Sequence, residues 1–183
     1  MFNWFFNLFG QNKADDDQYN QYVDYINYCS KNNKNELIGN FSADGFYEIF
    51  KTLIEISKDQ MFIFIKNYES VFTDELFQYF KFNLKRHEKN FSEVCIMTFD
   101  GVIDERFKIL DTEFNCFNYY AMRIKNGCPN NFIVVDNKAY WIEEYFTSLR
   151  RTGFESQPFK ACCNFNDPFK SSRLIKIFLD CKK

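Results

Sequence analysis

Histidine is almost absent from this chain of 183 residues, since His87 is the only one. Cysteine occurs at seven scattered positions, but no two cysteines have the CxxC spacing of a zinc site. An odd number of cysteines without a zinc motif favours reduced, mostly buried thiols and a cytoplasmic location. We therefore predict no metal and no cofactor. The cysteines are Cys29, Cys95, Cys116, Cys128, Cys162, Cys163 and Cys181.

Long apolar runs and a large net charge are also missing. No apolar run is long enough to cross a bilayer, and the N-terminus lacks the basic region and cleavage site of a signal peptide. The aromatic segment 1–9 has no Lys or Arg, which interfacial helices usually carry, so we expect it to pack on the domain or on a partner chain and not on a membrane. The net charge of −2 gives no global field that attracts nucleic acid.

The residues that are present suffice for the core of a folded domain, because 46% are hydrophobic and 21% are aromatic. Their periodicity predicts an α/β fold with a mixed sheet flanked by helices. We predict an N-terminal aromatic segment and helix over residues 1–40 and an α/β domain over residues 41–183. The predicted helices span 17–30, 42–57, a segment from Thr73, 104–111 and a segment from Asp167, with Ser42, Thr73 and Asp167 predicted as N-caps. The predicted strands span 61–65, 93–99, 119–125, 132–135 and 159–165.

Two strands of this prediction have a distinctive environment. Residues 61–65 are apolar on both faces, which predicts a position in the middle of a covered, largely parallel sheet. Residues 129–142 predict a β-hairpin, whose first strand, 132–135, is too short for a helix and rich in β-branched residues. Its turn is formed by Asp136, Asn137 and Lys138, because Asp and Asn tolerate positive φ.

Residues 59–183 resemble a single phospholipase D-like domain, the module shared by phospholipases D and a family of small nucleases. The resemblance rests on residues 61–67 with the helix that follows them, on residues 131–140 of the hairpin, and on residues 163–169 at the start of the last helix. It covers about two thirds of the chain. It implies the fold of that family with extra N-terminal helices, and it implies a homodimer, because small domains of the family commonly pair through their motif faces.

The catalytic signature of the family, His-x-Lys-x-x-x-x-Asp, falls on the hairpin. Its His is the phosphoryl-accepting nucleophile and its Lys holds the phosphate. Alignment on Asp136 puts Pro129 at the His position and Asn131 at the Lys position. Proline has no nucleophile and asparagine has no positive charge, so a phosphohistidine cannot form and the phosphate clamp is lost. Glu143 and Glu144 stand where a small polar Gly-Ser element usually follows, so the resemblance implies a non-catalytic member that keeps Asp136 as a turn residue.

The predicted function is therefore a binding module that recognises a protein partner. Phe132, Tyr140 and Trp141 are expected near the shared surface as exposed aromatic anchors. Arg150 and Arg151 are further candidate contacts in a C-terminal segment rich in basic residues, which makes nucleic acid an alternative partner. A small, degenerate, nuclease-like chain with the residue usage of an AT-rich genome is consistent with a phage or mobile-element accessory protein, such as an inhibitor of a host system.

An enzyme with a relocated site is the other alternative, either a nuclease or a phosphodiesterase. It would use His87 or a divalent cation held by an acidic cluster between residues 100 and 113. The cluster has no EF-hand spacing, and the chain has no Gly-rich phosphate loop or GxSxG elbow. A solvated loop face is the simpler interpretation of the cluster, and a surface position at a helix C-terminus is the simpler interpretation of His87. The cluster consists of Asp100, Asp104, Glu105, Asp111 and Glu113.

Overall fold

The computed structural model describes residues 14–40, 43–66, 73–99, 104–122, 130–143 and 161–182, without the side chains of 14–16 and 43. Several of the predicted features lie outside this part of the chain. They are the aromatic segment 1–9, the proposed helix cap Ser42, Asp100, Cys128, Pro129, Glu144, Arg150 and Arg151.

The described residues form five helices and seven strands. The helices are α1 Ala14–Lys31, α2 Ala43–Ile56, α3 Asp74–His87, α4 Glu105–Glu113 and α5 Pro168–Cys181. The strands are β1 Ile38–Asn40, β2 Gln60–Ile65, β3 Glu93–Phe99, β4 Phe117–Met122, β5 Phe132–Val135, β6 Ala139–Glu143 and β7 Ala161–Asn164. This order confirms the predicted α/β class with a mixed sheet flanked by helices.

All seven strands belong to one sheet in the order β1-β7-β6-β5-β2-β3-β4. The pairs β2–β3 and β3–β4 are parallel, whereas β2–β5, β5–β6, β6–β7 and β7–β1 are antiparallel. The prediction that the strand over 61–65 lies centrally is confirmed, but the prediction of a largely parallel sheet is wrong. The difference arises because the hairpin inserts its first strand beside β2 in the antiparallel sense, and antiparallel pairing then continues to the edge.

Both faces of the sheet are covered, so alternate residues of the central strands enter two separate cores. Met61, Ile63 and Ile65 of β2 point into a core shared with α1, α2, α3 and α4. Phe62 and Phe64 point into the second core, which includes residues of α5. Burial on both faces explains why the central strands read as continuous apolar runs.

The first strand, β1, is absent from the sequence prediction because its three residues carry no periodic signal. It pairs with β7 at the sheet edge, and the Tyr22 hydroxyl of α1 donates to the Gly39 carbonyl at 3.0 Å. Ile26 and Cys29 of α1 are fully buried in the first core. The predicted boundary at residue 40 therefore falls within a single sheet and a single core.

Two helix starts predicted from capping residues, at Thr73 and Asp167, are confirmed, and the structure shows a third cap at Asp104. Thr73 accepts a hydrogen bond from the Leu76 N–H at 3.2 Å, and Asp104 accepts one from the Arg106 N–H at 2.8 Å. Asp167 accepts one from the Lys170 N–H at 2.9 Å, with Pro168 at the first turn of α5. Among the residues described, no helix is both long and apolar enough to span a membrane.

Candidate functional site

The motif hairpin joins the sheet so that its two ends lie at opposite edges. Phe132 pairs with Phe64 near the carboxyl end of β2, and Val135 pairs with Met61 near its amino end. The carboxyl edge, named here for the carboxyl ends of β2, β3 and β4, therefore holds Asn131 at the lysine position of the signature. The opposite amino edge holds Asp136. In α/β folds, the carboxyl ends of parallel strands are where ligands usually bind.

Asn131 is only 1% exposed and acts as a hydrogen-bonding node at the carboxyl edge. Its side-chain Oδ1 accepts from the backbone N–H of Lys66, just after β2. Its Nδ2 donates to Oε2 of Glu143 at 2.9 Å, and its backbone carbonyl accepts from the Glu143 N–H at 2.9 Å. The amide thereby joins the ends of β2, β5 and β6, and both of its polar atoms have protein partners.

Glu143 makes the electrostatics beside Asn131 unfavourable for a phosphate. Its half-buried carboxyl loses hydration, which raises its pKa, while the hydrogen bonds from the side chain and backbone of Asn131 act in the opposite direction. An acid stands beside the position where the family signature has a lysine. When ionised, that acid repels a phosphodiester, and the neutral Asn131 amide offers no compensating charge.

Asp136 occupies the hairpin turn and serves the fold. Asp136 and Asn137 have φ values of 52° and 49°, the left-handed geometry that tight hairpins need. The Asp136 carboxylate accepts three backbone N–H bonds from the loop between α2 and β2. The donors are Lys58 at 2.9 Å, Asp59 at 2.9 Å and Gln60 at 3.0 Å. The Asp136 N–H in turn donates to the Gln60 carbonyl at 2.9 Å, so the turn is fastened to the start of the central strand.

The three aromatic residues predicted as exposed anchors are buried, and the prediction of exposure is wrong. Phe132 is 0% exposed and stacks on Phe64 with ring centroids 4.9 Å apart. Trp141 is 3% exposed and lies 4.6 Å from the ring of Phe46, and Tyr140 is 4% exposed in the second core. The physical reason is that helices cover both faces of the sheet, so neither face of β5 or β6 reaches solvent.

His87 lies far from Asn131, at the opposite edge of the sheet. It is the last residue of α3, which begins after β2 at the carboxyl edge and spans 14 residues, or about 20 Å. The segment after it is held at the amino edge, where the Ser92 N–H donates to the Asp59 carbonyl at 2.9 Å. His87 therefore lies at the amino edge and cannot act beside Asn131 at the carboxyl edge.

The described members of the acidic cluster each engage a partner within the fold. Asp104 caps α4 and pairs with Arg106 at 3.0 Å, and the Asp111 carboxylate accepts from the Tyr119 N–H at 2.9 Å. Glu105 pairs with Lys108 at 2.9 Å and Glu113 with Lys81 at 2.7 Å. Within the described ranges, no group of three or more His, Cys, Asp or Glu side chains has an arrangement suited to a metal ion.

The cysteines that the structure describes are free thiols, and all except the half-buried Cys181 are buried. Burial raises the pKa of Cys163, and burial together with a hydrogen bond to Glu93 raises the pKa of Cys95 to about 12. Thiols with raised pKa values remain protonated at neutral pH and are poor nucleophiles. They therefore belong to the packing of the two cores.

No protein-family model matches the chain, and no curated protein matches it in sequence. Solved structures do match. Nuc from Salmonella typhimurium, a phospholipase D family member, has a TM-score of 0.51 at 13% identity over 80% of this chain and 91% of its own. NucT from Helicobacter pylori has a TM-score of 0.53 at 13% identity, covering 81% of this chain and 94% of its own.

A third similar structure is TrmBL2, an archaeal chromatin protein described as showing a novel mode of DNA binding. Its TM-score is 0.57 at 7% identity over 92% of this chain. The present chain spans only 61% of the length of TrmBL2. These similarities show that the chain has a phospholipase D-like fold, as its motif stretches predicted.

We expect Asp136→Ala to lower the free energy of unfolding by about 2–4 kcal/mol, because the substitution removes three hydrogen bonds to a charged carboxylate. Asp136→Asn keeps one side-chain acceptor and tolerates positive φ, so its loss of stability should be smaller. Urea unfolding monitored by circular dichroism measures both. The control is Asp59→Ala, which removes an exposed carboxylate from the neighbouring loop between α2 and β2. An equal destabilisation in that control would contradict the structural role of Asp136.

We expect Glu143→Gln to be at least as stable as the unaltered protein at neutral pH. The amide oxygen of the substituted side chain can still accept from Asn131, while the cost of burying an ionised carboxyl disappears. Because the folded-state pKa of Glu143 is raised, its ionisation destabilises the fold as pH rises above the unfolded-state value. The stability difference between the two proteins should therefore shrink as pH falls through this window. Denaturant unfolding over a pH series tests this, and a difference that is constant with pH would contradict it.

Proposed function

We propose that this protein is a non-catalytic phospholipase D-like domain that acts by binding. The proposal is supported by one observation. The side chains at both described signature positions form hydrogen bonds within the fold. The Asn131 side chain is hydrogen-bonded to Lys66 and Glu143. The Asp136 carboxylate accepts hydrogen bonds from the backbone N–H groups of residues 58–60. The nucleophile position is a proline in the sequence. Phosphoryl transfer through a covalent enzyme intermediate needs a nucleophile and a charge clamp, and these residues supply neither.

Incubation with single- and double-stranded DNA and RNA, with Mg²⁺, Mn²⁺ or EDTA, tests the absence of catalysis. We expect no cleavage above that of a boiled sample. The variant Asp104→Asn removes the buried carboxylate of the acidic cluster but retains a helix-capping side chain. It therefore tests whether a metal ion bound at this cluster supports cleavage. Metal-dependent cleavage that Asp104→Asn abolishes would overturn the proposal and favour a nuclease or phosphodiesterase.

The first candidate mode is protein–protein binding, either to a partner protein or to a second copy of this chain as a homodimer. The burial of Phe132, Tyr140 and Trp141 moves the candidate contact surface to apolar side chains that remain exposed. Phe82 of α3 is 64% exposed and Ile109 of α4 is 55% exposed. Exposed aromatic side chains commonly anchor protein interfaces. A small phage or mobile-element protein in the cytoplasm, acting on a host protein, is consistent with this mode.

Sedimentation velocity over a concentration series tests the homodimer. We expect a species of twice the 22.2 kDa chain mass that dissociates more readily in Phe82→Ser, because the substitution removes a large apolar side chain from the contact surface. Tyr28→Ser, at a residue 49% exposed on α1, is the matched control. A single species of the chain mass at every concentration would contradict a homodimer.

Nucleic-acid binding is the second candidate mode. It is supported by the similarity to TrmBL2, described as a DNA-binding chromatin protein, and by the basic residues of α5. Nucleic acid binding requires neither the missing nucleophile nor the missing lysine of the signature, because phosphate contacts alone supply much of the affinity of such proteins.

A further inference from the structure

Although the net charge of the chain is only −2, the helices on the two sides of the sheet differ in the sign of their net charge. Helices α1 to α4, which pack against the first core, contain twelve acidic and seven basic residues. Helix α5, which packs against the second core, contains three basic residues and one acidic residue, and Lys182 follows directly as its cap. Helix α5 is therefore net positive, although the chain as a whole is acidic.

Two basic side chains of α5 are exposed and available for a partner. Leu174 and Phe178 bury one side of the helix, and Arg173 and Lys176 are exposed on the other. Within the described part of the chain, no hydrogen bond or ion pair engages Arg173 or Lys176. By contrast, Lys108 on the other side of the sheet is paired with Glu105.

An exposed aromatic side chain completes this surface. Phe169 is 75% exposed, the most exposed of the large hydrophobic side chains described. It lies four residues before Arg173 and seven before Lys176, and this spacing places all three on one line along the helix. We call Phe169, Arg173 and Lys176 the α5 outer face. Asp180, one turn beyond Lys176, ends the positive stretch.

We propose that the α5 outer face binds single-stranded nucleic acid, with Arg173 and Lys176 contacting backbone phosphates and Phe169 stacking on an unpaired base. Unpaired cations beside an exposed aromatic ring are the combination that single-strand-binding surfaces use. The surface lies on the opposite side of the sheet from helices α3 and α4 and does not include Asn131 or Glu143. The proposal rests on the proposed binding function and names both a partner and the residues that contact it.

Helix α5 is held rigidly enough to present these residues. Its first turn is capped by Asp167, whose N–H donates to the Lys138 carbonyl of the hairpin at 2.8 Å. The Ser172 hydroxyl donates to Oδ1 of Asn137 at 2.8 Å. At the other end, the Lys182 ammonium lies 4.4 Å from the ring centroid of Tyr120 on β4. Both ends of the helix are thus tied to the sheet, and its outer face is preorganised.

Fluorescence anisotropy with a labelled oligothymidylate, and with a duplex of the same length, tests the proposal over a series of salt concentrations. We expect the unaltered full-length protein to bind the single strand more tightly than the duplex. The double variant Arg173→Ala with Lys176→Ala should bind roughly tenfold more weakly at moderate salt. Its slope of log K against log salt should fall in magnitude by about 0.7 for each phosphate that the variant no longer binds. Phe169→Ala should weaken single-strand binding about fivefold or more.

The matched control is Lys85→Ala with Arg86→Ala, which removes the same two charges from exposed positions of α3 on the other side of the sheet. We expect this control to bind as the unaltered protein does. An equal weakening in the control, preference for the duplex, or no binding to the oligothymidylate at low salt would each overturn the inference. Binding to anionic phosphatidylserine vesicles without binding to the oligonucleotide would also overturn it. Cleavage of the oligonucleotide would instead overturn the absence of catalysis, so the two failures are distinguishable.

Discussion

The contact between the Asp136 carboxylate and three consecutive backbone N–H groups fixes the hairpin to the central strand. These groups belong to Lys58, Asp59 and Gln60, and the last of them begins β2. Strand β2 is where the sheet changes from parallel to antiparallel pairing, so its register with β5 sets the positions of all the strands on the β5 side. A shift of one residue would exchange the two buried faces of the hairpin. The carboxylate at this turn therefore determines which residues enter which core.

This contact also gives Asp136 a role in the fold that does not depend on catalysis. Asp136 stabilises the fold whether or not chemistry occurs at the other end of β5. At that end, the two polar atoms of the neutral Asn131 amide are hydrogen-bonded to Lys66 and Glu143. Asn131 thereby joins three strands at the carboxyl edge, and the ionised Glu143 carboxylate beside it disfavours a phosphate at this position. Helix α5 carries a net positive charge, whereas helices α1 to α4 on the other side of the sheet are together net negative.

The parts of the fold that local chemistry determines could be predicted from the sequence. The caps Thr73 and Asp167, the turn at Asp136 and the apolar strands each depend on residues within a few positions of one another. The features that were missed depend on distant residues. Strand β1 exists because β7 pairs with it, and the burial of Trp141 depends on Phe46, which is remote in the chain. The contact between Asn131 and Lys66 joins positions 65 residues apart, so no local pattern indicated it.

The central claim is that the retained Asp136 serves the fold, and native-state hydrogen exchange measured by NMR tests it most directly. The amides of Lys58, Asp59 and Gln60 are partly exposed loop or strand-end groups that would exchange quickly without the carboxylate. We predict that they exchange slowly, and only through the global unfolding reaction, as core amides do. Exchange of these three amides as fast as that of residues 35–37, in the exposed loop before β1, would contradict the account.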